Sequence, residues 1–351
     1  MSEQRIRFSI FDWLDESGRG FAQTYEERLG MLEYADRAGF YCYHLAEHHG
    51  TALSSTPSPS VFLGAAAQRT RRLRLGALTY VLPLYEPLRL IEELSMLDQL
   101  SRGRIDVGVG RGSSPYEGMR HGLSMEESNA KYREALDILV GGWRNGELHY
   151  QGKHFRYDHV RLRLQPYQRP CPPLWYPTSS LDSIPWIAAQ GFNTVFSIGL
   201  LGNFEKVQAM IRRYRAEWEV HRGDADRING HVAEPLCGIT THVFLAETDA
   251  LAREQARGGM LAWYENFVRR YLDSGDAKYA ATIDFEKLVG EGRFLVGSPA
   301  TVRERLRGWL DQSGANCFIG TFAFGNLTFE SIMTSIDLFA KEVMPALSAP
   351  R

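Results

Sequence analysis

Three histidines and a carboxylate stand together in the run Gly39-Phe40-Tyr41-Cys42-Tyr43-His44-Leu45-Ala46-Glu47-His48-His49-Gly50. Imidazole is the side chain best suited to proton transfer near neutral pH. A neighbouring carboxylate fixes its tautomer and stabilises its charged form, so Glu47 is expected to hold His48, with His49 beside them. His44 to His48 also reads as H-x-x-E-H, a zinc-protease pattern. That pattern needs a helix to set both histidines on one face. Here the run before it is aromatic and β-favouring, and Gly50 follows. No metal is assigned, and His44 is read as a structural histidine in a strand.

Two further clusters carry chemistry. Arg104-Ile105-Asp106-Val107-Gly108-Val109-Gly110-Arg111-Gly112 reads as a strand entering a glycine-rich turn with one arginine. Glycine admits close backbone approach to a ligand, and arginine grips phosphate in a bidentate way. The G-x-G-x-G spacing is neither a dinucleotide fingerprint nor a Walker loop, and by itself it is equally a plain strand-to-loop turn. Pro177-Thr178-Ser179-Ser180, followed by Asp182-Ser183, gathers hydroxyls where a strand meets a helix start. That arrangement is either helix capping or an anion site.

The elements that must position these residues alternate. Strands are predicted at Ile6–Phe11, Phe40–Leu45, Leu73–Val81, Arg104–Val109, Leu174–Pro177, Thr194–Ile198, Leu236–Leu245 and Asn316–Phe322. Helices fall between them at Thr24–Ala38, Pro59–Gln68, Pro87–Leu100, Glu126–Val140, Ser183–Ala189, Asn203–His221, Thr248–Tyr271 and Pro299–Asp311, and a last one covers Phe329–Met344. Eight strands each followed by a helix is the count of a closed (β/α)8 TIM barrel, although periodicity alone leaves an open doubly wound sheet standing. No linker divides the chain, so 1–351 is read as one domain with insertions at about 113–172 and 271–296. The first insertion holds a hairpin pattern over Leu148–Leu164.

Forty basic and forty-two acidic residues give a net charge of −2 over 351 residues, 44% of them hydrophobic. No basic stripe argues for nucleic acid, and no stretch reaches the ~18 apolar residues of a membrane span. The four scattered cysteines have no C-x-x-C spacing and fit a reducing, cytoplasmic setting.

Taken in order, several of these pieces resemble the bacterial luciferase-like flavin-dependent oxidoreductases over nearly the whole chain. They are Glu47-His48-His49, Leu75 to Pro83, Glu92 to Arg104 with its Asp98-Gln99-Leu100-Ser101-Arg102-Gly103-Arg104, and Gly108 to Gly112. Further on come Trp186 to Gly191, Val296-Gly297-Ser298-Pro299, and Phe339 to Leu347. The resemblance implies a luciferase-like (β/α)8 barrel that takes FMN as diffusible reduced flavin, FMNH2. It implies activation of O2 at that flavin and oxygen insertion into a hydrophobic small organic substrate. It implies a separate NAD(P)H-dependent flavin reductase, and a homodimer. His48 matches the family's catalytic histidine, flanked by Glu47 and His49. Leu78-Thr79 matches a non-proline cis peptide against the flavin ring, Arg111 a phosphate-binding arginine, and Ser179 and Ser180 a second phosphate loop. Asn129 stands where many members carry another phosphate-contacting arginine, with Lys131 close by. Gly110 stands where the catalytic luciferase subunit has a reactive cysteine. Leu181-Asp182 departs from the usual serine-proline-glutamate loop. Two other readings keep the fold: a deazaflavin-dependent dehydrogenase or reductase, and a non-catalytic flavin-binding protein.

Overall fold

The computed structural model describes residues 5–53, 55–112, 115–200, 202–276 and 283–348. Its strands, in chain order, are β1 (Arg7–Asp12), β2 (Cys42–Leu45), β3 (Arg74–Val81), β4 (Ile105–Gly110), β5 (Glu147–Gln151), β6 (Arg156–Arg161), β7 (Leu174–Trp175), β8 (Thr194–Ser197), β9 (Cys237–Leu245), β10 (Leu295–Gly297) and β11 (Cys317–Thr321). Parallel pairing runs β8-β9-β11-β1-β2-β3-β4-β7. A parallel bridge between Trp175 and Asn193 joins the two ends, with Tyr176 N–H donating to the Asn193 carbonyl at 2.8 Å. Eight strands therefore close into a ring with the helices outside, as the alternation predicts. β10 adds beside the far end of β9, and β5 and β6 form an antiparallel hairpin.

Local signals place these elements. The helix Phe21–Ala38 ends at Gly39, whose φ of 88° turns the chain into β2. The helix Pro87–Ser101 ends on Arg102 and Gly103, both left-handed. The marker around Asp98 to Arg104 is a clasp under the barrel. The Asp98 carboxylate accepts from the Gln168 backbone N–H and side-chain amide, both at 2.8 Å. Arg104 donates to the carbonyls of Leu73 (2.7 Å), Ala67 (2.8 Å) and Ser101 (2.8 Å). These charge-assisted bonds tie the approach to β4 to the two helices before it and to the chain entering β3, and the Asp98 helix to the segment before β7.

Inside the ring, Trp175, Val195, Cys317 and Ile319 pack with Phe11 and Leu78, and the Trp175 indole donates to Asp106 at 2.8 Å. His44 is buried edge-on to Trp175, and burial pushes its pKa down to about 4. It sits in the core, apart from Glu47 and His48.

Besides the strand β10 and the helix Phe285–Gly290, which the sequence expectation lacks, two further elements differ from it. A short helix, Pro115–Arg120, opens the first insertion. The last helix breaks into Phe329–Leu338, a π turn Phe339–Val343 and Met344–Ser348. Part of the second expected insertion, 277–282, lies outside the described residues, as do 113–114 of the first. Among the described residues no helix is long and apolar enough to cross a membrane.

Candidate active site

Strand β3 carries one residue more than its partner β4 between the pairs Ala77↔Val107 and Tyr80↔Val109. The Leu78–Thr79 peptide within this bulge is cis. β4 accommodates it by lacking side chains: a Cβ on Gly108 would run into the Ala77 carbonyl, and one on Gly110 would run into Thr79 Oγ1. Bulges of this kind re-aim strand residues beside a site. Leu78, Thr79 and Gly110 all line a cavity of about 1240 Å³. It opens where the strands end, the usual site of chemistry in such barrels.

The other predicted residues meet there. Glu47, His48, Arg111, Ser179 and Ser180 line the same cavity. His49 stands just behind it, its Nε2 bonded to Glu47 Oε1 at 2.8 Å. The expectation that Glu47 holds His48 is not met. The Glu47 carboxylate accepts from His49, from the Val81 N–H at 3.1 Å and from the Tyr85 hydroxyl at 2.9 Å. His48 and Glu47 are adjacent just past β2, and their side chains find different partners.

The partner of His48 is Glu117, from the short helix Pro115–Arg120. His48 Nδ1 lies 3.1 and 3.2 Å from the two Glu117 oxygens, and the His49 backbone N–H donates to Oε2 at 3.0 Å. Burial acts to raise the Glu117 pKa. Its bond to His48, the charge there, the His49 N–H and nearby Arg270 outweigh that and hold it below the ordinary value. The bond to Glu47 likewise raises the His49 pKa. The indole of Trp13 stacks on His48 at 5.3 Å and 16°. Trp263, Phe267 and Phe11 continue the aromatic wall. His242 lies on it as well, packed at 4.1 Å against Trp263, its pKa lowered by burial to about 3.

The opposite end of the cavity is cationic and hydroxylic. Arg111, Arg133, Lys206, Thr178, Ser179, Ser180 and Ser183 line it. Arg111 donates to the neutral Asn129 Oδ1 at 3.2 Å. Among the described residues, none of Arg111, Arg133 and Lys206 forms an ion pair with an acidic group. Lys131 is not among the lining residues; Arg133, four residues beyond Asn129 on the same helix face, is.

Sequence reasoning missed Glu117, Arg133 and Lys206; Trp13 and Phe11 stand out in the sequence as aromatic residues near a strand end, and both line the cavity. Helical spacing from Asn129 pointed to Arg133. Pro115 followed by an acidic residue is a helix-start signal for Glu117. Nothing local places Glu117 against His48.

The model of the family described as luciferase-like monooxygenase matches residues 6–317. An uncharacterized protein of Sinorhizobium fredii, y4wF, is 36% identical over 341 residues, covering 97% of both chains. The oxygenase component of a flavin-dependent trigonelline monooxygenase from Acinetobacter baylyi is 25% identical, covering 98% of this chain and 96% of its own length. The solved monooxygenase RslO1 of Streptomyces bottropensis superimposes with a TM-score of 0.84 at 27% identity, over 97% of this chain and 99% of that one. The oxygenating constituent of 3,6-diketocamphane monooxygenase from Pseudomonas putida, in complex with FMN, shares the fold with a TM-score of 0.81 at 22% identity, over 99% and 100%. With a cavity of this construction at the strand ends and a family match over nearly its whole length, the chain belongs to the luciferase-like monooxygenases, a family of enzymes.

Proposed function

We propose that this enzyme is the oxygenase of a two-component system, using FMNH2 and O2 to oxygenate a hydrophobic small molecule, with the reduced flavin delivered by an NAD(P)H-dependent reductase. The observation that carries this reading is the cavity's division. One end holds three cations that have no acidic partner among the described residues, beside a hydroxyl loop, and the other an aromatic wall around a carboxylate-held histidine. The residues fit FMN. A dianionic phosphate matches Arg111, Arg133, Lys206, Ser179 and Ser180. The side-chain-free Gly110 and the Leu78–Thr79 bulge leave a wall against which a flat ring can lie. Bound flavin supplies the reducing electrons and the site of oxygen activation. The relatives support this reading: one is an oxygenase component, and one solved structure contains FMN.

The chain's own part is positioning and proton handling. Glu117 takes the Nδ1 side of His48 and fixes the orientation of the ring that handles the proton. Trp13 holds the ring plane by stacking. Glu47 and His49 brace the His48 segment against β3 rather than touching reactants. Trp263, Phe267 and Phe11 exclude water from the reacting end, which protects reactive intermediates from hydrolysis. A single 1–351 unit, a homodimer and a cytoplasmic location complete the proposal.

The test is rapid mixing of protein and reduced FMN with oxygen. Protein-bound FMN should reoxidise more slowly than free FMN, with peroxide release below one per flavin when substrate is present. Reoxidation at the free-flavin rate would overturn the reading. So would tighter binding of a deazaflavin with hydride transfer and no oxygen uptake.

A further inference from the structure

The hairpin of β5 and β6 carries a second cluster of ligating side chains, far in character from the cavity. Leu148 pairs with Val160 and Tyr150 with Tyr157. Between those pairs one residue, His149, faces two, Asp158 and His159. This is a β-bulge, and His159 takes a left-handed φ of 50°. Consecutive strand residues ordinarily point to opposite faces. The bulge instead lets Asp158 and His159 both reach His149. The imidazoles of His149 and His159 stack at 4.5 Å and 27°. His149 Nδ1 lies 3.4 Å from Asp158 Oδ1, and His159 Nε2 lies 3.9 Å from the same oxygen. One ligand atom from each of the three lies within 4.8 Å of the others.

We propose that His149, Asp158 and His159 form a binding site for a divalent transition cation, Zn²⁺ in the first instance. Tetrahedral bonds of about 2.0–2.1 Å set neighbouring ligand atoms about 3.3–3.4 Å apart. The separations of 3.4 and 3.9 Å need only side-chain rotation to reach that. His159 Nδ1 lies 2.7 Å from Glu147 Oε1. A carboxylate there accepts a hydrogen bond from Nδ1–H and leaves the Nε2 lone pair for the metal, the arrangement that metal-binding histidines adopt. Two imidazoles and one carboxylate select zinc, nickel or copper over calcium or magnesium, which prefer oxygen alone. The site is exposed, so water completes the coordination.

The cation would clip the hairpin. The hairpin turn is itself fixed to the helix Met125–Asn145, because Glu134 accepts from the N–H groups of Lys153 (2.9 Å), His154 (2.9 Å) and Phe155 (3.1 Å). The same helix carries Asn129 and Arg133 into the cavity.

The test is calorimetric titration of tag-free, chelator-treated full chain with zinc chloride. One zinc per chain is expected, together with a rise in unfolding midpoint. His149→Ala and His159→Asn should each weaken binding at least tenfold, and together abolish it. Asn is chosen at 159 because it tolerates the left-handed backbone. Glu147→Gln should weaken binding about tenfold. His121→Ala, beside His49, should change nothing. Without zinc, every variant should unfold at the parent's midpoint, since His121, His149 and His159 are exposed and Glu147 is only half-buried. No zinc binding to the parent, equal binding to the double variant, or equal affinity for calcium would each overturn the site.

Discussion

At one end of the cavity the lining is cationic and hydroxylic, carried just past β4, on the turn after β7, on the helix Met125–Asn145 and at the starts of two further helices. At the other it is aromatic, with His48 held between Trp13 and Glu117, carried on β1, β2, β9 and the helix Asp249–Leu272. The first end offers unpaired charge and asks for an anion. The second has already paired its charge, in Glu117–His48 and Glu47–His49, and presents rings. Anchoring and chemistry are thereby separated, so that a change at one end should leave the other's task intact.

The largest expected effect is at the aromatic end. His48→Ala should slow turnover by about 10²–10⁴-fold, the range for a lost acid–base group, while reduced FMN binds as before. Glu117→Gln should show a smaller loss of the same kind. If His49→Ala costs as much as His48→Ala, the assignment moves to the Glu47–His49 pair. At the cationic end, Arg111→Ala should weaken FMN binding by about 1.5–3 kcal/mol and leave turnover at saturating flavin unchanged. Riboflavin, without a phosphate, should bind both proteins alike. Equal losses for both flavins would merge the two ends into one.

A substitution at the wall they share is expected to touch both. Gly110→Ala drives a methyl into Thr79 and should cost about 1–3 kcal/mol as overpacking, read from denaturant unfolding.

The last expectation concerns pH. His44 and His242 have pKa values lowered by burial to about 4 and about 3. Their neutral forms favour folding above pH 6.5. As pH falls from 6.5 toward 4, the unfolded chain takes up protons that the folded one refuses. Stability should then be lost at about 1.4 kcal/mol per pH unit for each histidine. His242→Phe should flatten that slope by one share while leaving the slope from His44.

The sequence was most readable where one residue's neighbours in the chain decide its surroundings. All eight ring strands and the Leu148–Leu164 hairpin follow from alternation and turn residues. His48, Arg111 and Ser179 fall at strand ends, where the fold opens its cavity. Legibility stopped at pairings between distant segments. Glu117 lies 69 residues beyond His48, and a tempting carboxylate, Glu47, stood next to it. Backbone direction sent Glu47 to Tyr85 and Val81 instead. The strand β10 was missed because three residues carry too little pattern. The glycines of β4 read equally well as ligand room or as a turn. Only the bulge of β3 shows that they are also demanded by a neighbouring strand.

The ring's closure is uneven around its circumference. β7 is two residues long, and its link toward β8 is a single bridge. A side chain reinforces it. The Asn229 amide accepts from the Leu174 N–H at 3.0 Å and donates to the Gly191 carbonyl at 2.9 Å. Local opening follows the least-bonded joint. Deuterium should therefore enter at the amides of Tyr176 and Asn193 before those of β1 or β11, and the turn bearing Ser179 and Ser180 lies directly beyond that seam. Breathing there would loosen the anion end of the cavity while the stave bearing His48 stays shut.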